Sequence, residues 1–312
     1  MTSRLILGSA AVALVAAVAA ATPLGPARLT PAEAARAIEE IEKDRTDTQK
    51  WLQSDPTSYL ATVNRRDFEL RKTLTVGRAA DNDLRVDDAA FAAHHLRVTV
   101  DGDRFQVQAV DAAAEFKTGN DKDGWHATRA ATLDPSAIQV GRFLIRLSHQ
   151  RYPGLIVFDP ASPRFKDYKG LKYFPPDLAL RYELPITPNP KPDVVTIMST
   201  RGNQRRAERV GWFEFLVGQT PARLEALRLL EPGIGENDLG IFFRDATTGK
   251  ETYELGRYVD VKKLPNGRFL LDFNFAYNPA CAISDHYNCP VPPRANILPM
   301  AIRAGEMDSH YH

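Results

Sequence analysis

From about residue 60 onward the apolar residues fall on every second position, and that period forces β-strands. In "DFELRKTLTVGR" the alternation runs through Phe68, Leu70 and Leu74 to Val76. Side chains two apart share one face of a strand, whereas a helix needs a period near 3.6. "HLRVTVDGDRFQVQAV" reads as a hairpin, with Leu96, Val98 and Val100, a turn at Asp101-Gly102-Asp103, then Phe105, Val107 and Ala109. "IQVGRFLIRLSH" puts Phe143, Ile145 and Leu147 on one face, and "GLIVFDP" is a short apolar strand closed by proline. Short strands punctuated by turn signals predict a β-sandwich or barrel over residues 58–184.

A second block, 185–312, opens on "ELPITPNPKPDV", whose four prolines predict a stiff connector or extended arm. Alternating runs then resume, with turns at "RDATTGKETY" and at Asn266-Gly267, a strong hairpin signal. "ARLEALRLL" has helix-forming residues, but its shortness and its neighbours favour a strand. The fold class expected is therefore mainly β: a sandwich, a C-terminal β segment and a proline-rich lobe at its end. One helix precedes them within residues 22–57. Thr30 is its N-cap, Pro31 suits its first position, and Glu33 completes a capping box. Ala34, Ala37, Ile38 and Ile41 form a narrow apolar stripe, so this helix packs by one edge.

The first residues, "MTSRLILGSAAVALVAAVAAATP", have one cation, an apolar run from Leu5 to Ala21 and small residues before Pro23. That is the layout of a secretory signal over 1–21, with an uncleaved anchor as the rival. Export to the periplasm, cell envelope or exterior is expected, with membrane contact only during translocation. Forty basic residues face 39 acidic ones. No basic excess points to nucleic acid. No Gly-x-Ser-x-Gly, phosphate loop or Rossmann fingerprint occurs, and no cofactor is expected.

Export also shapes the reading of "CAISDHYNC". Two cysteines close in sequence, in an oxidising compartment, predict a Cys281–Cys289 disulfide. Two alternatives stand beside it. Cys281, Asp285, His286 and Cys289 supply four zinc donors at a spacing that fits no common zinc ribbon. Cys281 with His286 as base would make a nucleophile.

"LTVGRAADNDLRVDDAAFAAHHLRV" resembles the forkhead-associated domain, an eleven-strand sandwich that binds phosphothreonine. Gly77 and Arg78 match its Gly-Arg pair, but Ala92 and Ala93 stand where its Ser-Arg pair precedes the histidine, here His95. The resemblance implies the fold. Without the serine and the second cation a phosphothreonine peptide is not expected as partner. Arg78 is expected to make a structural salt bridge and His95 to cap a turn.

"FRDATTGKETYELGRYVDV" and "LDFNFAYNPACAISDHYNCPVPPRANILPMAIRAGE" resemble the bacterial family called domain of unknown function 1684. The matching positions include Asp245, Gly256, Arg257, Asp272, Asn274, Tyr277, Asn278, Cys281, Cys289 and Glu306. Phe275 and Ala280 depart from its usual Arg and Pro. The resemblance implies no activity, but it marks a site.

Asp272 and Asn274 share one strand face, and a hairpin at Asn266-Gly267 would bring Arg257 towards them, with Glu306 nearby. Arg257, Asp272, Asn274, Asn278 and Tyr277 are the candidate ligand-binding residues, for a small molecule or cell-envelope component. Asp272 or Glu306 would be the general acid or base of a hydrolase. The competing arrangement is a buried Arg–Asp pair that pins an irregular loop. A structural or interaction module without an active site is the third possibility.

Overall fold

The computed structural model describes residues 24–311 apart from 151 and 232, so the expected signal segment lies outside the described residues. Helix α1 (Pro31–Ser54) starts with the capping box read from the sequence. Thr30 N–H donates to the Glu33 carboxylate at 2.8 Å, and Glu33 N–H donates to Thr30 Oγ1 at 3.3 Å. Its buried side is Ala37, Ile41, Arg45 and Leu52. Ile38, expected inside, is exposed. A cation holds a position the apolar pattern could not mark: the Arg45 guanidinium lies 4.8 Å above the Tyr173 ring.

Eleven strands follow. They are β1 (Thr62–Asp67), β2 (Thr73–Gly77), β3 (Leu84–Arg85), β4 (Leu96–Asp101), β5 (Arg104–Ala109) and β6 (Phe116–Asn120). Then come β7 (Gly124–Thr128), β8 (Ala130–Leu133), β9 (Ala137–Val140), β10 (Phe143–Gln150) and β11 (Tyr152–Phe158). They form two sheets, ordered β1-β11-β10-β9-β6-β7 and β3-β2-β4-β5-β8. The β4–β5 hairpin pairs Leu96 with Ala109 and Asp101 with Arg104, turning at Gly102 with φ of 60°. Phe68, Val76, Val98, Phe105, Ile145 and Val157 fill the sandwich. Each contributes about 1.5–3 kcal/mol by leaving water. Leu70, placed by alternation on the inner face, sits in the β1–β2 turn and is exposed.

A short helix α2 (Arg164–Asp167) leads to a second body. Its strands are β12 (Arg181–Leu184), β13 (Thr187–Ile197), β14 (Arg205–Val217), β15 (Thr220–Leu229), β16 (Leu239–Phe243), β17 (Arg257–Lys263) and β18 (Phe269–Asp272). They make one sheet in the order β12-β18-β17-β16-β15-β14-β13. β12 pairs with β18, so this sheet begins before the boundary expected at residue 185. The proline-rich stretch is a strand, not a connector. It sits at the sheet edge, where missing N–H donors are tolerated, and its register shifts between Pro188 and Asp193. "ARLEALRLL" lies within β15, with Leu224 opposite Phe213.

The two faces of this sheet differ. Phe213, Phe215, Leu224, Ile241, Val259, Leu271 and Phe273 build the main core on one side. Phe242 and Tyr258 lie on the other, against the lobe that holds Cys281 and Cys289. That lobe, after β18, is a chain of short 3-10 turns at Phe273–Phe275, Ala280–Ala282 and Arg294–Asn296. It also meets the sandwich: Thr62 Oγ1 and Tyr287 Oη are 2.8 Å apart, and Arg65 Nη1 donates to His286 O at 3.1 Å.

Candidate functional site

Strand alternation decides what faces the gap beneath α1. Val259 and Val261 of β17, and Phe269 and Leu271 of β18, enter the core. Asp260, Lys262, Leu270 and Asp272 therefore point to the opposite face. Helix α1 crosses that face with Asp44, Thr48 and Trp51, and Tyr59, Tyr173 and Glu306 complete the wall. This cavity is open to solvent on one side and measures about 700 Å³, the size of a small-molecule site.

Five residues singled out from the sequence line it: Asp272, Asn274, Tyr277, Asn278 and Glu306. Two are locked. The Asp272 carboxylate pairs with Arg181 and accepts from Asn274 N–H at 3.0 Å and Asn274 Nδ2 at 2.8 Å. Asn274 Oδ1 accepts from Asp177 N–H at 2.7 Å, and Nδ2 also donates to Asp177 O at 2.9 Å. Tyr277 Oη donates to Asp260 Oδ2 at 3.2 Å. Asn278 is different. Its backbone N–H donates to Glu306 Oε2 at 2.8 Å and its Nδ2 to Met307 O at 2.9 Å, while its buried Oδ1 has no partner among the described residues.

Arg257 is not part of this group. Position 257 has the parity of Val259, so its side chain enters the core face and is 1% exposed. The hairpin register, with Lys262 opposite Leu270 and Lys263 opposite Phe269, also places it beyond the end of β18. Its ion-pair partner is Asp245 at 2.8 Å, not Asp272. It also donates to Ile302 O at 2.7 Å, to Glu306 O at 3.2 Å and to Ala304 O. A buried Arg–Asp pair thus pins an irregular segment, and that segment presents Glu306 to the cavity. Withdrawal from water pushes the guanidinium's pKa down against the pull of Asp245. Gly305 has φ of 76°, and a Cβ there would stand 2.3 Å from Ala276 O, so only glycine fits before Glu306.

Burial raises the Glu306 carboxyl to about 7, more strongly than the Asn278 N–H and Arg257 lower it. Asp260 and Asp44 are also raised, first by loss of solvent in the cavity wall, although both side chains still reach water. Sequence reading missed these two and Tyr173. Asp260 could have been found: in "YVDVKK" it is a single acid between two apolar positions of a strand.

The cysteine lobe departs from expectation. Cys281 and Cys289 are both buried and are not at disulfide distance. Cys281 N–H donates to Cys289 Sγ at 3.3 Å from the 3-10 turn at Ala280–Ala282, and the two thiols also interact side chain to side chain, which raises Cys289 well above its ordinary value. The side chains of Cys281, Asp285, His286 and Cys289 do not gather as metal ligands. Asp285 points to solvent, 3.8 Å from the His286 ring. In the sandwich, His95 does cap a turn: Nδ1 accepts from Ala92 N–H at 3.0 Å, and Nε2 donates to Glu115 O at 2.9 Å. Arg78 is exposed, and the salt bridge expected of it is absent among the described residues.

Fold and cavity together define a mainly-β protein with a sandwich, a seven-stranded sheet and a polar cavity beneath one helix. Its C-terminal part, residues 166–307, belongs to the family described as "Protein of unknown function (DUF1684)". An uncharacterized protein of Haloarcula marismortui, solved by solution NMR, is 34% identical over 49% of this chain and 85% of its own, with a TM-score of 0.39. Mycobacterium tuberculosis EmbR, solved in complex with a low affinity phosphopeptide, is 13% identical over 42% of this chain and 32% of its own, with a TM-score of 0.20. No curated protein matches the chain.

Proposed function

We propose that this chain is an exported protein that binds a small molecule or cell-envelope component in the cavity between α1 and the seven-stranded sheet. The observation that carries the reading is the unpartnered Asn278 Oδ1, buried beside Glu306 in the wall of a cavity of about 700 Å³. A buried acceptor without a donor costs about 1–3 kcal/mol, and a ligand that donates to it recovers that loss. The apolar run Leu5–Ala21 supports export. The forkhead-associated resemblance supplies the sandwich as a scaffold, without its phosphothreonine role.

The test is a thermal-shift panel of monosaccharides, amino sugars, amino acids and aryl amines against the full chain. Binding should raise the melting temperature. Thr48→Trp fills the cavity from α1 and should abolish the shift with the free protein's melting little changed. No shift from any compound, or a shift that survives Thr48→Trp, would refute the reading.

One observation favours a second reading, a hydrolase. Glu306 titrates near neutrality, as a general acid must, whereas Asp272 is held by Arg181 and Asn274. Of the two candidates Glu306 is the one free to move a proton.

A further inference from the structure

The charges around the cavity do not balance. Six carboxylates and two ammonium groups line it. Asp272 is neutralised by Arg181 and Asp47 by Lys43. That leaves Glu40, Asp44, Asp260 and Glu306 against Lys262. An anion entering would meet net repulsion, with Lys262 alone offering an uncompensated positive charge in the lining. A neutral hydroxyl could satisfy Asn278 Oδ1 but would leave the charge excess in place. An ammonium group is donor-only, carries the missing charge and offers three N–H bonds. The aromatic rings of Trp51, Tyr59 and Tyr173 in the same wall suit the apolar body of such a ligand, with one face of Tyr173 already covered by Arg45.

We infer that the cavity recognises the protonated amine of a small organic cation, with Glu306 and Asn278 Oδ1 as its acceptors and the aromatic wall around its carbon skeleton. This rests on the binding reading above and names the ligand class. It also ties binding to protons. The groups that face Glu306 are Asp44 from α1, Arg257 from β17, the phenols of Tyr59, Tyr168 and Tyr173, and the Asn278 amide. The charge of Arg257 is already shared with Asp245. An incoming ammonium is therefore the new cation that favours the carboxylate. Below about pH 7 binding must expel the Glu306 proton, and amine affinity rises with pH until that proton is gone. The amine itself, with a pKa of about 10, stays charged throughout.

The experiment compares benzylamine, benzyl alcohol and benzoate by calorimetry on the full chain at pH 6 and pH 8. Benzylamine should bind tightest, bind better at pH 8, and release protons at pH 6, seen as heats that depend on the buffer. Glu306→Gln should weaken benzylamine about ten-fold or more and leave benzyl alcohol unchanged. Lys262→Glu, at an exposed position, should tighten benzylamine several-fold without disturbing the core. Benzyl alcohol or benzoate binding as well as benzylamine, or indifference of benzylamine to both variants, overturns the amine assignment while the cavity reading stands. Failure of all three probes to bind overturns the amine assignment; the cavity reading then stands or falls on the monosaccharides and other panel members.

Discussion

Glu306 sets a stability penalty that can be worked out and isolated. Its carboxyl titrates near 7 in the folded chain, against an ordinary value of 4.5. Between those values the folded form holds a proton that the unfolded form has lost. Stability is therefore full below about pH 4.5 and falls as pH rises through 7. A gap of about 2.5 pH units, at about 1.4 kcal/mol each, makes the full loss about 3.5 kcal/mol. Glu306→Gln removes the titration and keeps an acceptor for the Asn278 N–H. Urea unfolding at about pH 5 and about pH 8 gives the two free energies. Asp44 and Asp260 are raised in the same direction, but they remain in both proteins and cancel in the comparison. The wild type should lose about 2.5 kcal/mol relative to the variant between these two pH values, the first part of the loss falling below about pH 5. Parallel profiles would refute the claim that this carboxyl is buried against its charge.

Arg257→Met leaves Asp245 charged and dry and frees the carbonyls of Ile302, Ala304 and Glu306. It should destabilise the protein by about 3–5 kcal/mol in urea unfolding, and a loss below about 1 kcal/mol would return Arg257 to the list of binding residues. Both thiols are buried and not at disulfide distance, so a thiol reagent should label neither in the folded chain and both once it is unfolded without reductant. Absence of labelling after unfolding would show a disulfide in the isolated protein.

The alternating runs made most strands legible, because a half-buried strand writes its two faces into the sequence. The β4–β5 hairpin, the turn at Asn266-Gly267 and the capping box at Thr30 all follow from local chemistry. The strand β13 did not: its prolines read as a connector, and only the sheet edge makes them acceptable. The site was half legible. Asp272, Asn274, Tyr277, Asn278 and Glu306 do meet around one cavity. Arg257 was misplaced because its face follows from register and parity, not from closeness to the turn. The α1 wall was invisible, since nothing local says that Asp44 and Thr48 will lie over β17 and β18. Arg45 hid the buried side of that helix in the same way.

The seam between the sandwich and the second sheet is mostly polar. Arg201 reaches Asp67 at 3.2 Å, Arg65 and Arg164 reach carbonyls of the lobe, and the apolar contact is confined to a small cluster around Leu52, Leu60 and Ile283. Each body keeps a large interior of its own. Under tension, or in concentrated electrolyte, such a joint yields before either interior does. Residues 281–289 stay packed on the second sheet through Cys281 and Cys289 and carry the carbonyls that such a joint would release.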